Sequence, residues 1–168
     1  MSLTMSLKST VVADLSKALD LCSGNSSLQA AFSLAMTDGT GANQVDRIFH
    51  DERTLAASAT EDLDLSGGGL TDIYGTAFTI ARLKLLVLWP SSANTNNVNL
   101  TRPASNGVPL FLAAGDGIAG RPGGEIIICA PDATGYAVTA GTGDLINLTN
   151  SAGTTSVTYK IILMGASA

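Results

Sequence analysis

The sequence predicts an all-β fold, a sandwich or barrel of antiparallel strands, and three observations carry that prediction. Clusters of Gly, Asp, Asn and Pro recur roughly every 8–12 residues through the second half, the spacing of turns in all-β domains. The segments between them alternate apolar and polar residues, and none sustains a helical period. The composition agrees, with 18 Gly and 45% hydrophobic residues in a chain of 168. That length is one domain's worth, enough to bury a sizeable core without disulfides or metals.

Taken in order, "LKSTVVADLSKAL" alternates as a strand through Leu7, Ser9, Val11 and Ala13, although "ADLSKALDL" also fits a helical turn. "SLQAAFSLAM" has the same ambiguity, because its alanines suit a helix. An irregular or strand-like N-terminal arm over residues 1–36 is therefore expected, ahead of a sandwich core over residues 37–168, in one domain overall. After the strong turn "TDGTGANQ", the segments "VDRIFHDERTL" and "TEDLDLSG" predict a hairpin, and "LTDIYG" a loop or short helical turn.

The clearest strand is "AFTIARLKLLVLW", residues 77–89. Regular alternation puts Ala81, Leu83, Leu85, Val87 and Trp89 on one face and Arg82, Lys84, Leu86 and Leu88 on the other. Pro90 and "SSANTNNVN" stop it. Further strands are expected at "VPLFLAA", "GEIIICAP", "YAVTAG", "DLINLTN" and "SVTYKIILMG". In the last, Val157, Tyr159, Ile161 and Leu163 share a face, opposite Thr158, Lys160, Ile162 and Met164. The turns between them are "GDGIAGRPGG", "PDATG", "AGTGD" and "NSAGTT".

Charge excludes some partners. Nine Lys and Arg face 14 Asp and Glu, for a net charge of −5. No basic stripe exists to neutralise several phosphates, so nucleic acid is not an expected partner. No apolar run approaches the ~20 residues of a membrane span, and the N-terminus lacks the apolar core of a secretory signal. With only 14% charged residues, the chain has little charged surface to keep it monomeric, which hints at assembly. Cys22 and Cys129 form no C-x-x-C and read as two small buried apolar residues.

Motifs that suggest chemistry fail on context. Gly115, Gly117 and Gly120 spell G-x-G-x-x-G, but the Arg-Pro-Gly-Gly that follows is hostile to the helix a dinucleotide site requires. Asp62, Asp64, Ser66 and Gly67 match the start of a calcium loop, but Ile73 stands where the bidentate Glu belongs. His50 is the lone histidine; on a strand it shares a face with Glu52 and not with Asp51. One histidine and two scattered cysteines make a poor transition-metal ligand set. Glu52, Glu61 and Glu125 carry no pairing signal for glycoside hydrolysis. Tyr74, Trp89, Tyr136 and Tyr159 are too scattered for a stacking platform, and Trp89 is expected in the core. No enzyme activity, cofactor, metal or small-molecule substrate is expected. The candidates for an interface are Arg121, Trp89, His50, Asp132 and Tyr136.

The second half resembles a family of small virion structural proteins of tailed bacteriophages. The resemblance rests on the "DLDLSG" strand, the Phe-Thr-Ile-Ala-Arg strand, "NTNNV", Pro-Gly-Gly before a hydrophobic strand, "APDATGYAVTAGTGD", and a terminal Y-x-I-x-L-x-G. Order and spacing agree from about residue 38 to 168, and the first thirty-odd residues match less clearly. The resemblance implies a non-enzymatic structural protein. Its expected place is the head surface, as a decoration or cement protein that stabilises the capsid through protein–protein contacts; a tail or fibre position serving host adsorption is second. The implied partners are the major capsid protein and copies of the chain itself, in a homo-oligomer such as a trimer. A carbohydrate-binding sandwich is a third reading, and would need exposed aromatics in a groove. The fold expected is then an antiparallel β-sandwich of jelly-roll type.

Overall fold

The computed structural model describes residues 2–168, and its twelve strands are joined by turns, with no helix among the described residues. The first six strands are β1 (Met5–Ala18), β2 (Ser23–Asp38), β3 (Gln44–Val45), β4 (Arg47–Leu55), β5 (Thr60–Asp64) and β6 (Arg82–Pro90). The rest are β7 (Val98–Thr101), β8 (Gly117–Gly120), β9 (Ile126–Cys129), β10 (Tyr136–Ala137), β11 (Leu145–Asn150) and β12 (Val157–Ala166).

Two antiparallel sheets face each other across one core. The first runs β4–β12–β6, with β9 and β10 both pairing the far edge of β6. The second runs β5–β11–β7–β8. The first sheet turns Phe49, Leu86, Leu88, Tyr159, Ile161 and Leu163 inward; the second supplies Leu63, Ile146, Leu148, Val98 and Leu100. Period-2 alternation on β11 and β12 produces these faces directly, since each inward residue lies two from the next. The inward set Val157, Tyr159, Ile161 and Leu163 is the one read from the sequence.

Several local expectations are corrected. The segments read as a β4–β5 hairpin do not pair with one another: β4 pairs β12 and β5 pairs β11. The turn at residues 56–59, with Ser58 at φ 56°, carries the chain from one sheet to the other. Local spacing cannot distinguish a hairpin from such a crossing. "VPLFLAA" is not a strand; Val108 is buried, but Leu110 bonds back to Val108 and Leu112 is fully exposed. Its neighbour "GIAG", read as part of a turn, is instead β8. Gly115 does turn the chain, at φ 87°, whereas Gly117 lies flat against β7, where a Cβ would sit 2.4 Å from the Leu100 carbonyl oxygen.

The strand β6 departs from simple alternation. Met164 pairs with Leu85 and Gly165 with Leu83, so Lys84 is the extra residue of a β-bulge. Alternation flips there: Leu83 joins Leu86 and Leu88 in the main core, while Leu85 and Val87 face the other way. The sequence reading that put Leu83 with Leu85 is corrected by this one residue. Lys84 is buried, and its Nζ donates to the Asp132 carbonyl. Burial lowers its pKa from the usual lysine value.

Outside the sandwich, β1 and β2 form a long antiparallel hairpin, in register from Met5–Met36 to Ala18–Ser23. Both segments that fit helix as well as strand are strand. Cross-strand pairing overrides the helix preference of the alanines. Only the base of this arm packs on the body. Met5 and Met36 are buried with Val45, Leu85, Val87 and Met164 in a second apolar cluster, flanked by Leu7, Leu34, Ile48, Ile127 and Ile162. This cluster lies on the outer face of the first sheet.

Candidate interaction surface

Beyond Leu7 and Leu34 the arm projects free of the body. At ~3.3 Å per residue its outer ten or so residue pairs reach on the order of 35 Å, about the diameter of the sandwich. Cross-strand register assigns every side chain to a face. One face carries Ser9–Phe32, Val11–Ala30, Ala13–Leu28 and Leu15–Ser26. The other carries Lys8–Ser33, Thr10–Ala31, Val12–Gln29, Asp14–Ser27 and Ser16–Asn25. The arm is thus an amphipathic ribbon whose apolar face continues from the second cluster out into solvent. On that face Val11 is 56%, Leu15 74%, Leu28 55% and Phe32 54% exposed. Leu19 and Leu21 are exposed at the tip, beside Cys22. The expectation that Cys22 is buried is therefore corrected, because it sits exposed in the turn at the arm's tip. Cys129 is half-buried on β9, and burial raises its thiol pKa.

The outer face of the first sheet holds the second surface. His50 and Glu52 on β4, Lys160 and Ile162 on β12, and Trp89 on β6 line a shallow groove of about 460 Å³. Trp89 is 40% exposed and donates from Nε1 to Glu125 Oε1 at 2.6 Å, so its expected place in the core is corrected. The bulge at Lys84 sets the outward direction of this end of β6. Glu52 and Lys160 pair across β4 and β12 at 3.5 Å, both well exposed.

Of the five interface candidates, the structure brings only His50 and Trp89 together. Arg121 lies on the loop between β8 and β9, its Nη1 3.5 Å from Asn97 Oδ1. Asp132 caps the turn at residues 132–135: its Oδ1 accepts from the N–H groups of Thr134 and Gly135, which hold its pKa below the usual carboxylate value. Tyr136 leaves that turn as β10 and packs partly buried against the main core. The sequence reading missed the arm's apolar face. Its signal was present in the odd-numbered row from Leu7 to Leu15 and in the turn cluster "DLCSGN", but the alanines of β2 masked it.

The main polar cluster lies at the sandwich rim. Arg53 on β4 meets a single oxygen of Glu61 on β5 with two nitrogens, Nε to Oε2 at 2.9 Å and Nη2 to Oε2 at 2.8 Å, and Asp51 through Nη1 at 2.9 Å. Tyr159 on β12 donates its hydroxyl to Glu61 Oε1. The hydrogen bond to Glu61 raises the Arg53 pKa, and burial followed by the Glu61 contact raises that of Tyr159. Glu61 thus ties the two sheets together. The chemistry is that of a closed structural network, since every partner is already engaged. Asp64, part of the calcium-like motif, accepts from the Ser66 and Gly67 amides instead. Among the described residues, no three His, Cys, Asp or Glu side chains converge as a metal site would require.

Comparison with protein-family models, curated proteins and solved structures found no match to this chain.

Proposed function

We propose that this chain is a non-enzymatic structural protein of a bacteriophage virion, a decoration or cement protein that stabilises the head through protein–protein contacts. The observation that carries the contact role is the arm: a ribbon of fourteen residue pairs whose apolar face, beyond its base, is exposed and meets no partner among the described residues. An isolated two-stranded ribbon is marginal in water, and contiguous exposed apolar surface of this kind marks an interaction site. The free edge of β1 also offers unpaired backbone groups for strand addition to a neighbour.

The virion setting draws on the resemblance over residues 38–168 and on connectivity. The strand orders β4–β12–β6–β9 and β5–β11–β7–β8 support reading the sandwich as a jelly roll, an architecture common in capsid proteins. The partners proposed are the major capsid protein and further copies of the chain.

The test is the particle itself. Purified virions should contain the protein at the head surface by electron microscopy, and particles lacking it should lose heat resistance that added protein restores. Unchanged heat resistance with lost adsorption would move the proposal to the tail, and absence from particles would overturn it.

A further inference from the structure

We infer that the arm's apolar face is a self-association surface, seated in the assembly against the same face of a second copy of this chain. The argument lies in the pairing. On the projecting part of the ribbon, each large side chain stands directly opposite a small one: Phe32 opposite Ser9, Val11 opposite Ala30, Leu28 opposite Ala13, and Leu15 opposite Ser26. Lys17 opposite Gly24 ends the pattern toward the tip, since Leu15 and Lys17 both lie on β1 and Lys17 is charged; the four pairs from Phe32 to Leu15 carry it. The large residues therefore alternate between the two strands along the ribbon. The face is a zigzag of knobs, each beside the notch that a small residue leaves. Packed faces interdigitate when large residues on one meet small residues on the other. A surface with knobs and notches in equal number and regular order presents both halves of that match, so a second copy fits it.

The base of the arm is built differently. Met5 stands opposite Met36 and Leu7 opposite Leu34, large against large, with no notch. These are the pairs covered by the chain's own body in the second apolar cluster. The change from large–large to large–small pairs falls where intramolecular cover ends. The face is thus continuous with an interface already formed within the chain, and its free part differs in the one respect that association with a copy requires. Its opposite side carries Lys8, Thr10, Asp14 and Ser16, with Val12 as its single exposed large apolar side chain.

Sedimentation of the full chain across a dilution series tests this. The wild type should sediment as an oligomer that dissociates on dilution. Leu28→Asp and Phe32→Asp should each weaken association by at least about tenfold, the scale of losing one buried anchor. Val12→Asp, on the opposite face, should leave association unchanged. Trp89 fluorescence and near-ultraviolet circular dichroism report whether the body remains folded in each variant. Ala30→Phe separates shape from mere greasiness. It adds apolar surface but fills a notch, so it should weaken association. A monomeric wild type, equal effects from Val12→Asp and Leu28→Asp, or stronger association from Ala30→Phe would each overturn the inference. So would a chain that stays monomeric and shields its arm from protease only on particles. The inference rests on the proposed pairing of the chain with its own copies and not on the virion setting: an oligomer absent from particles sinks the virion setting alone, and a monomer bound to particles sinks self-association and leaves the contact with the major capsid protein.

Discussion

Glu61 is the residue on which the two sheets are most directly joined, because Arg53 and Tyr159 reach it from strands of the opposite sheet. Tyr159 is fully buried, and its hydroxyl meets a carboxylate already neutralised by a guanidinium. Tyr159→Phe should cost about 2 kcal/mol in urea unfolding near pH 7, the scale of one hydrogen bond to a charged group. The pH dependence has a definite sign. Burial raises the phenol pKa in the folded protein, so above pH ~10 the unfolded chain releases this proton and the folded chain keeps it. Stability therefore falls as pH rises beyond that point. Tyr159→Phe should lose less stability than the wild type between neutral pH and pH ~11. An identical alkaline loss in both would remove Tyr159 from the account.

At the scale of elements, the arm and the body stabilise themselves by different means. None of the main core residues comes from β1 or β2. Replacing residues 8–33 by a two-residue Asn-Gly turn keeps the Met5–Met36 and Leu7–Leu34 pairs that cover the second cluster. The shortened chain should still unfold in one cooperative transition by calorimetry; a body that fails to fold would show that the arm is part of the core. The strands were legible in the sequence where one face is buried against the other sheet. On β11 and β12 the core imposes strict alternation, and Val157, Tyr159, Ile161 and Leu163 declare their face. On the arm no core imposes it, so Ala30, Ala31 and Ala35 fit two periods equally well. The β4–β5 relation was illegible for another reason: strand partners chosen across a long stretch of chain leave no local trace. The surface was legible in part, as a low-charge chain with apolar residues left over, but which residues remain uncovered depends on where the arm leaves the body.

Over the whole molecule, two apolar clusters sit back to back through the first sheet. One is closed between the sheets. The other opens along the arm into solvent. Substitutions should sort accordingly. Leu148→Ala, at a fully buried position on β11, should cost about 2–5 kcal/mol, the range for truncating a buried leucine to alanine. Leu21→Ala, fully exposed at the arm tip, should change folding stability by no more than about 0.5 kcal/mol. Chemical denaturation of both checks the division; comparable losses would mean that the tip is covered in solution.

The bulge on β6 bears on how this chain tolerates changes in length. Without residue 84 the strand would read Leu83 inward, Leu85 outward, Leu86 inward and Val87 outward, a regular sequence that keeps every apolar residue on its present side. Lys84 is thus a one-residue insertion that the sheet accommodates, and its amine has been recruited to hold the turn at residues 132–135. A chain shortened by that residue should keep its core and lose the anchor of a surface loop.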